Sequence, residues 1–149
     1  MPPTAEKIAR SDTGLASTLR VSMARLTRRL RTEDVDDLGV SPGQLGVLGV
    51  LLREGESTIG QLANTERVQP PSMTRTVSCL EEQGLVERAP HPTDGRQVLI
   101  RLSDKGHEFV AAERRRRDAW LALRLRELTP DERAVLRQAA PILERLSNA

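Results

Sequence analysis

The sequence predicts a mainly α-helical fold with a single small β-hairpin, and three observations carry that reading. Apolar residues recur at three- and four-residue spacing along most of the chain. The period changes to two only between residues 85 and 102. Capping residues, prolines and glycines divide the periodic stretches into segments of ordinary helix length. The 149 residues are 38% hydrophobic and 30% charged, enough to bury a core without disulfides or metals, and one domain over residues 1–149 is expected. With an aromatic share of 1%, that core must be aliphatic.

The first helix is expected from Thr13 to Arg31, where Leu15, Leu19, Met23, Leu26 and Leu30 form one stripe and arginines occupy the other faces. An acidic connection follows and ends at Gly39. Ser41-Pro42-Gly43-Gln44 opens the second helix as cap, first-turn proline and capping box. Its broad apolar face, Leu45 through Leu52, implies burial on most sides, and Gly55 ends it. Thr58 and Gln61 form a second capping box ahead of a short helix that turns Ile59, Leu62 and Ala63 inward.

The next helix begins at Val68-Gln69-Pro70-Pro71-Ser72, with prolines tolerated in the first turn, and runs to Gly84. Taking Met73, Val77 and Leu80 as the inward stripe leaves Pro71, Arg75, Ser78 and Glu82 on a small, polar opposite face. Leu85–Ala89 and Gln97–Leu102 then read as two strands joined by a basic-tipped loop with two prolines. Ser103 caps a long helix to about Leu128. Thr129-Pro130-Asp131-Glu132 starts the last one, striped by Leu136, Ala139, Leu143 and Leu146.

Several function classes are excluded at this level. No apolar run approaches the roughly 18 to 20 residues of a membrane span, and Met1-Pro2-Pro3-Thr4 does not read as a signal peptide, so a cytoplasmic location without membrane contact is expected. Cys79 is the only cysteine and His91 and His107 the only histidines. An intramolecular disulfide is therefore impossible, and no metal, cofactor or catalytic residue is expected. The net charge of +2 is small, but only Lys7 and Lys105 are lysines among 23 cations. Arginine suits phosphate because its planar fork donates two parallel hydrogen bonds. Codon bias would give the same composition, so placement decides.

Two short helices followed by strand, loop and strand, all within Thr58 to Leu102, have the order of a winged helix-turn-helix, and the DNA-binding region is expected over residues 41–102. A helix entering the major groove must bury one side on its own domain and turn small or hydrogen-bonding groups toward bases and phosphates. Gln69 and Arg75 have the reach for base edges. Ser72, Thr74 and Ser78 suit phosphate oxygens, and Pro70 and Pro71 sit where the helix start meets the duplex. Arg96, just past Asp94-Gly95, would enter the minor groove, with Asp94 holding Arg96 or another arginine by a charge-assisted bond. An ordinary amphipathic helix with a solvated face is the plain alternative, and the adjoining hairpin counts against it.

Gln61-Leu62-Ala63, Ser72–Val77, Leu80–Val86 and the wing block Asp94–Ser103 followed by Lys105-Gly106 together resemble the MarR family of bacterial regulators, over nearly the whole chain. Ser103 stands where the family's wing signature more often has Thr. The resemblance implies double-stranded DNA as partner and a homodimer built from the helices at both chain ends, residues 13–31 and 103–146, including Leu15, Leu19, Leu136 and Leu143. Packing of those stripes within one chain is the alternative. The resemblance further implies a pseudo-palindromic operator, repression as the commoner mode, and a small aromatic or phenolic effector. The family's oxidant sensors carry a reactive cysteine in the first helix, which this chain lacks; Cys79 reads instead as a partly buried structural thiol. The run Arg114–Arg117 spreads around a helical turn and is expected to pair with Glu113 and Asp118. A Cys79–His hydrolase and a helical protein-interaction module are the rival classes.

Overall fold

The computed structural model describes residues 10–32 and 39–149. Residues 33–38 of the acidic connection expected from Thr32 to Gly39, and the chain start before residue 10, lie outside the described residues. The elements are α1 (Asp12–Thr32), α2 (Pro42–Glu54), β1 (Ser57–Thr58), α3 (Ile59–Glu66), α4 (Pro70–Glu82), β2 (Val86–Pro90), β3 (Val98–Leu102), α5 (Asp104–Arg126) and α6 (Pro130–Ser147). The chain divides into two compact units, Met1–Ala111 and Ala112–Ala149, with the division inside α5. The mainly helical class with a hairpin wing is the observed one.

In the first unit the local signals act as the sequence implies. Ser41 and Thr58 each accept from the backbone three residues on, while Gln44 and Gln61 reach back to the cap N–H. Two complete boxes thus satisfy donors that a helix start otherwise leaves open. Gly55 ends α2 at φ 78°, a left-handed backbone that only glycine adopts without strain. The core is aliphatic: Leu48, Leu62, Met73, Leu80, Val77 and Ile100 are each at most 1% exposed. Burying side chains of this size contributes roughly 1.5–3 kcal/mol apiece. They join α2, α3 and α4 to the sheet in one cluster.

The sheet has three antiparallel strands in the order β1-β3-β2, one more than the expected hairpin. Ser57 and Thr58 pair with Ile100 and Leu99, so the residues just before α3 are bound to the inner strand of the wing. Behind the hairpin, α5 begins in close contact with the backbone after α4. The Ser103 hydroxyl donates to the Gly84 carbonyl and accepts from the Gly106 N–H, and Lys105 Nζ donates to the Gln83 carbonyl at 2.9 Å. A Cβ on Gly106 would stand 2.0 Å from the Leu85 carbonyl oxygen, so this approach requires glycine.

In the second unit α6 starts with a third capping box, Thr129 with Glu132. Pro141 lies inside this helix. It removes one backbone donor, a loss that surrounding water can answer because α6 contains no buried residue. Within α5, buried Glu113 accepts from both Arg116 and Arg117, the latter at 2.9 Å. Arg114 and Arg115 are exposed, so the arginine run does divide around the helix. Asp118, the other expected partner, is exposed and forms no ion pair among the described residues.

Candidate nucleic-acid interface

The geometry of α4 follows from its stripe. Met73, Val77 and Leu80 are 0–1% exposed, and at about 100° per residue the residues opposite them must face outward. Pro70, Pro71, Thr74 and Arg75 are exposed, and Ser72 and Ser78 are half-buried on the flanks. Arg75 has no hydrogen-bond or ion-pair partner among the described residues. Thr74 donates its hydroxyl to the Pro70 carbonyl at 3.0 Å, which leaves its oxygen able to accept but commits its proton to the helix.

Gln69 is exposed and stands at the N-cap with extended backbone, φ −70° and ψ 142°, and makes no side-chain cap. The starts of α2, α3 and α6 all have complete boxes, and Ser103 caps α5 through the Gly106 N–H. The amide of Gln69 is therefore directed to no local backbone group. The first turn itself has few donors to satisfy, because Pro70 and Pro71 carry no N–H and the Met73 N–H donates to the Gln69 carbonyl at 3.1 Å.

The wing loop is built by its own polar groups. His91 Nδ1 accepts from the backbone N–H of Asp94 at 3.0 Å and of Thr93 at 3.2 Å. Asp94 Oδ1 accepts from the Arg96 N–H at 3.0 Å, and the Asp94 carbonyl from the Gln97 N–H at 3.1 Å. Asp94 thus fixes Arg96 through its backbone rather than its guanidinium, a correction to the expected charge-assisted pair. The Arg96 side chain stays exposed and without a protein partner among the described residues. It lines a groove of about 440 Å³ with Thr58, Ile59, Gly60, Arg88, Gln97 and Val98. His91, expected as plain exposed loop, is half-buried and organises the turn; no spacing rule would have found it.

Two ion-pair systems brace the wing. Arg88 Nε on β2 meets Glu81 Oε2 on α4 at 2.7 Å, tying the hairpin to the helix beside it. Arg101 on β3 reaches Glu87 at 3.3 Å and Glu56 at 3.6 Å. These pairs are about half exposed, so each contributes about 1 kcal/mol or less to stability; their effect is on orientation.

Cys79 is exposed, contrary to the expected partly buried thiol. It neighbours Leu80 in sequence, but one residue is about 100° of rotation, which carries it off the apolar stripe. Among the described residues no group of three or more His, Cys, Asp or Glu side chains is placed to hold a metal ion, and no helix is long and apolar enough to cross a membrane. At the chain ends, Leu15 and Leu136 are each 44% exposed, while Leu19 and Leu143 are half-buried. Met23, Leu26, Leu123, Ile142 and Leu146 are exposed as well.

Comparison with known proteins agrees with this geometry. A family model described as the MarR family matches residues 38–97. The chain is 50% identical over 133 residues to an uncharacterized HTH-type transcriptional regulator of Mycobacterium bovis, covering 89% of this chain and 92% of that one. It is 30% identical over 141 residues to the HTH-type transcriptional repressor MdtR of Bacillus subtilis, covering 91% and 87%. Among solved structures it is similar to a MarR family protein from Bacillus stearothermophilus, with a TM-score of 0.73, 29% identity and coverage of 92% and 95%. The Mycobacterium bovis and Bacillus subtilis relatives are both named as transcription regulators of the helix-turn-helix type. With its helix pair, wing and sequence likeness together, the chain belongs to the MarR family of helix-turn-helix transcription regulators.

Proposed function

We propose that the protein is a repressor that binds pseudo-palindromic operators as a homodimer and is released by a small aromatic or phenolic effector. The observation that carries the DNA-binding part is the division of α4: its apolar stripe is wholly buried while Arg75 faces outward, and neither Arg75 nor Arg96 of the wing has a partner among the described residues. Gln69 and Arg75 read base edges in the major groove. Ser72, Thr74 and Ser78 meet phosphates, Pro70 and Pro71 keep the helix start narrow, and Arg96, with its backbone held by Asp94, enters the minor groove. The bare apolar faces of α1 and α6, including Leu15, Leu19, Leu136 and Leu143, supply the dimer contact, and two-fold symmetry spaces the half-sites about one helical turn apart. The name of the Bacillus subtilis relative, a transcriptional repressor, supports repression, and the family likeness supports a small effector.

The test is titration of the purified protein against random duplexes and against fragments selected from them. Weak random binding that falls steeply with salt and tight binding to a palindromic fragment are expected. Arg75→Ala is expected to cost about 1–3 kcal/mol on that fragment and to relax one base preference. Salt-indifferent binding would favour a protein-interaction module instead. A panel of small phenols added to the complex tests the effector.

A further inference from the structure

Arg67 joins the two helices of the DNA-reading pair, α3 and α4, and holds φ 54° and ψ 46°. Among the described residues it is the only non-glycine with positive φ. The left-handed region crowds Cβ against the following carbonyl, so such a position ordinarily goes to Gly or Asn. The cap that this backbone makes does not need an arginine. It is formed by the Arg67 N–H, which donates to the carbonyls of Ala63 and Asn64, and glycine would form it without strain. The side chain is exposed, and its guanidinium has no partner among the described residues. The adjacent carboxylate of Glu66 is turned to α2, with Oε2 2.6 Å from where a Cβ on Gly46 would stand.

Charge gives this placement its meaning. Residues 41–102 contain six arginines, no lysine and seven acidic residues, a formal charge of −1. A segment of that charge gains little from net attraction to DNA and depends on where its uncommitted cations lie. Arg88 and Arg101 are taken up by Glu81, Glu87 and Glu56. Arg67 is one of the remaining four, two residues before Gln69 at the start of α4. We infer that Arg67 is a further DNA-binding residue, held in a left-handed backbone so that its fork meets a backbone phosphate beside the recognition helix. The inference rests on the reading of α4 and the wing as the DNA face. A phosphate contact fixes register and carries no sequence information.

Arg67→Gly is the deciding variant because glycine suits the backbone, with Arg67→Asn as a second neutral replacement and Arg67→Lys retaining the charge. Each is titrated on a selected fragment and on random duplex across a salt series, with melting followed by circular dichroism. The Gly and Asn variants are expected to stay folded and to lose about tenfold in affinity near 0.1 M salt on both DNAs alike. Their salt slope should shrink by about 0.9 for each subunit bound, and the Lys variant should restore it. Folded Gly and Asn variants with wild-type affinity and slope, or a loss confined to the selected fragment, would overturn the inference. If they bind normally while Arg75→Ala and Arg96→Ala weaken binding, only the Arg67 assignment falls. If all of these variants bind as wild type, the reading of the DNA face falls with it.

Discussion

At the scale of single residues, close approach and loop geometry decide more than residue type suggests. Gly106 looks like an ordinary glycine near a helix start, yet Leu85 leaves no room for a Cβ there. Gly106→Ala is therefore expected to lower stability by about 1–3 kcal/mol, the usual effect of forcing an extra carbon into packed structure, and urea unfolding measures it. An unchanged midpoint would mean that the start of α5 can slide. His91 acts on a smaller region, because its ring accepts from two backbone groups of the wing loop. His91→Ala should leave the melting temperature nearly unchanged while speeding amide exchange at Thr93 and Asp94. Protection equal to wild type would show that Asp94 alone sets the loop. Neither effect was legible beforehand: the approach of Gly106 to Leu85 is made by the fold between distant residues, and the His91 bonds, although only two and three residues long, follow no recognised spacing rule.

At the scale of elements, the capped helices and the uncapped one differ in a way that can be measured. Two boxes were read as Ser-x-x-Gln and Thr-x-x-Gln and a third cap at Thr129, because a cap bonds only to its own first turn; the structure adds Glu132 to complete the third box. Gln69 breaks that pattern at α4, and a shorter side chain would close it. Gln69→Ser is expected to raise stability by about 1 kcal/mol and, under the proposed function, to weaken the preference for the selected DNA fragment. Greater stability with unchanged preference would take Gln69 out of base reading. Strand β1 was the element that sequence reasoning missed. A two-residue strand has no periodicity, and its partners at Leu99 and Ile100 lie some forty residues away, so only the folded chain reveals it.

At the scale of the whole molecule, the last helix has no interior. Every residue of α6 is at least partly exposed, Leu136 and Leu146 among them, and apolar surface of that kind is stabilised when a second copy covers it. The proposed homodimer predicts a melting temperature that rises with protein concentration. It also predicts that Leu136→Glu shifts the sedimentation of the protein toward the monomer. A dimer of undiminished affinity in that variant would place the contact elsewhere. The sequence by itself determined the helices, their caps, the aliphatic stripe of α4 and the order of helix pair and hairpin, since each is written in residues within a turn or two of one another. The tertiary structure alone decided the third strand, the need for glycine at position 106 and the exposure of Cys79 and Arg67, because these are settled by which distant groups the packed core brings together and which side chains it leaves facing water.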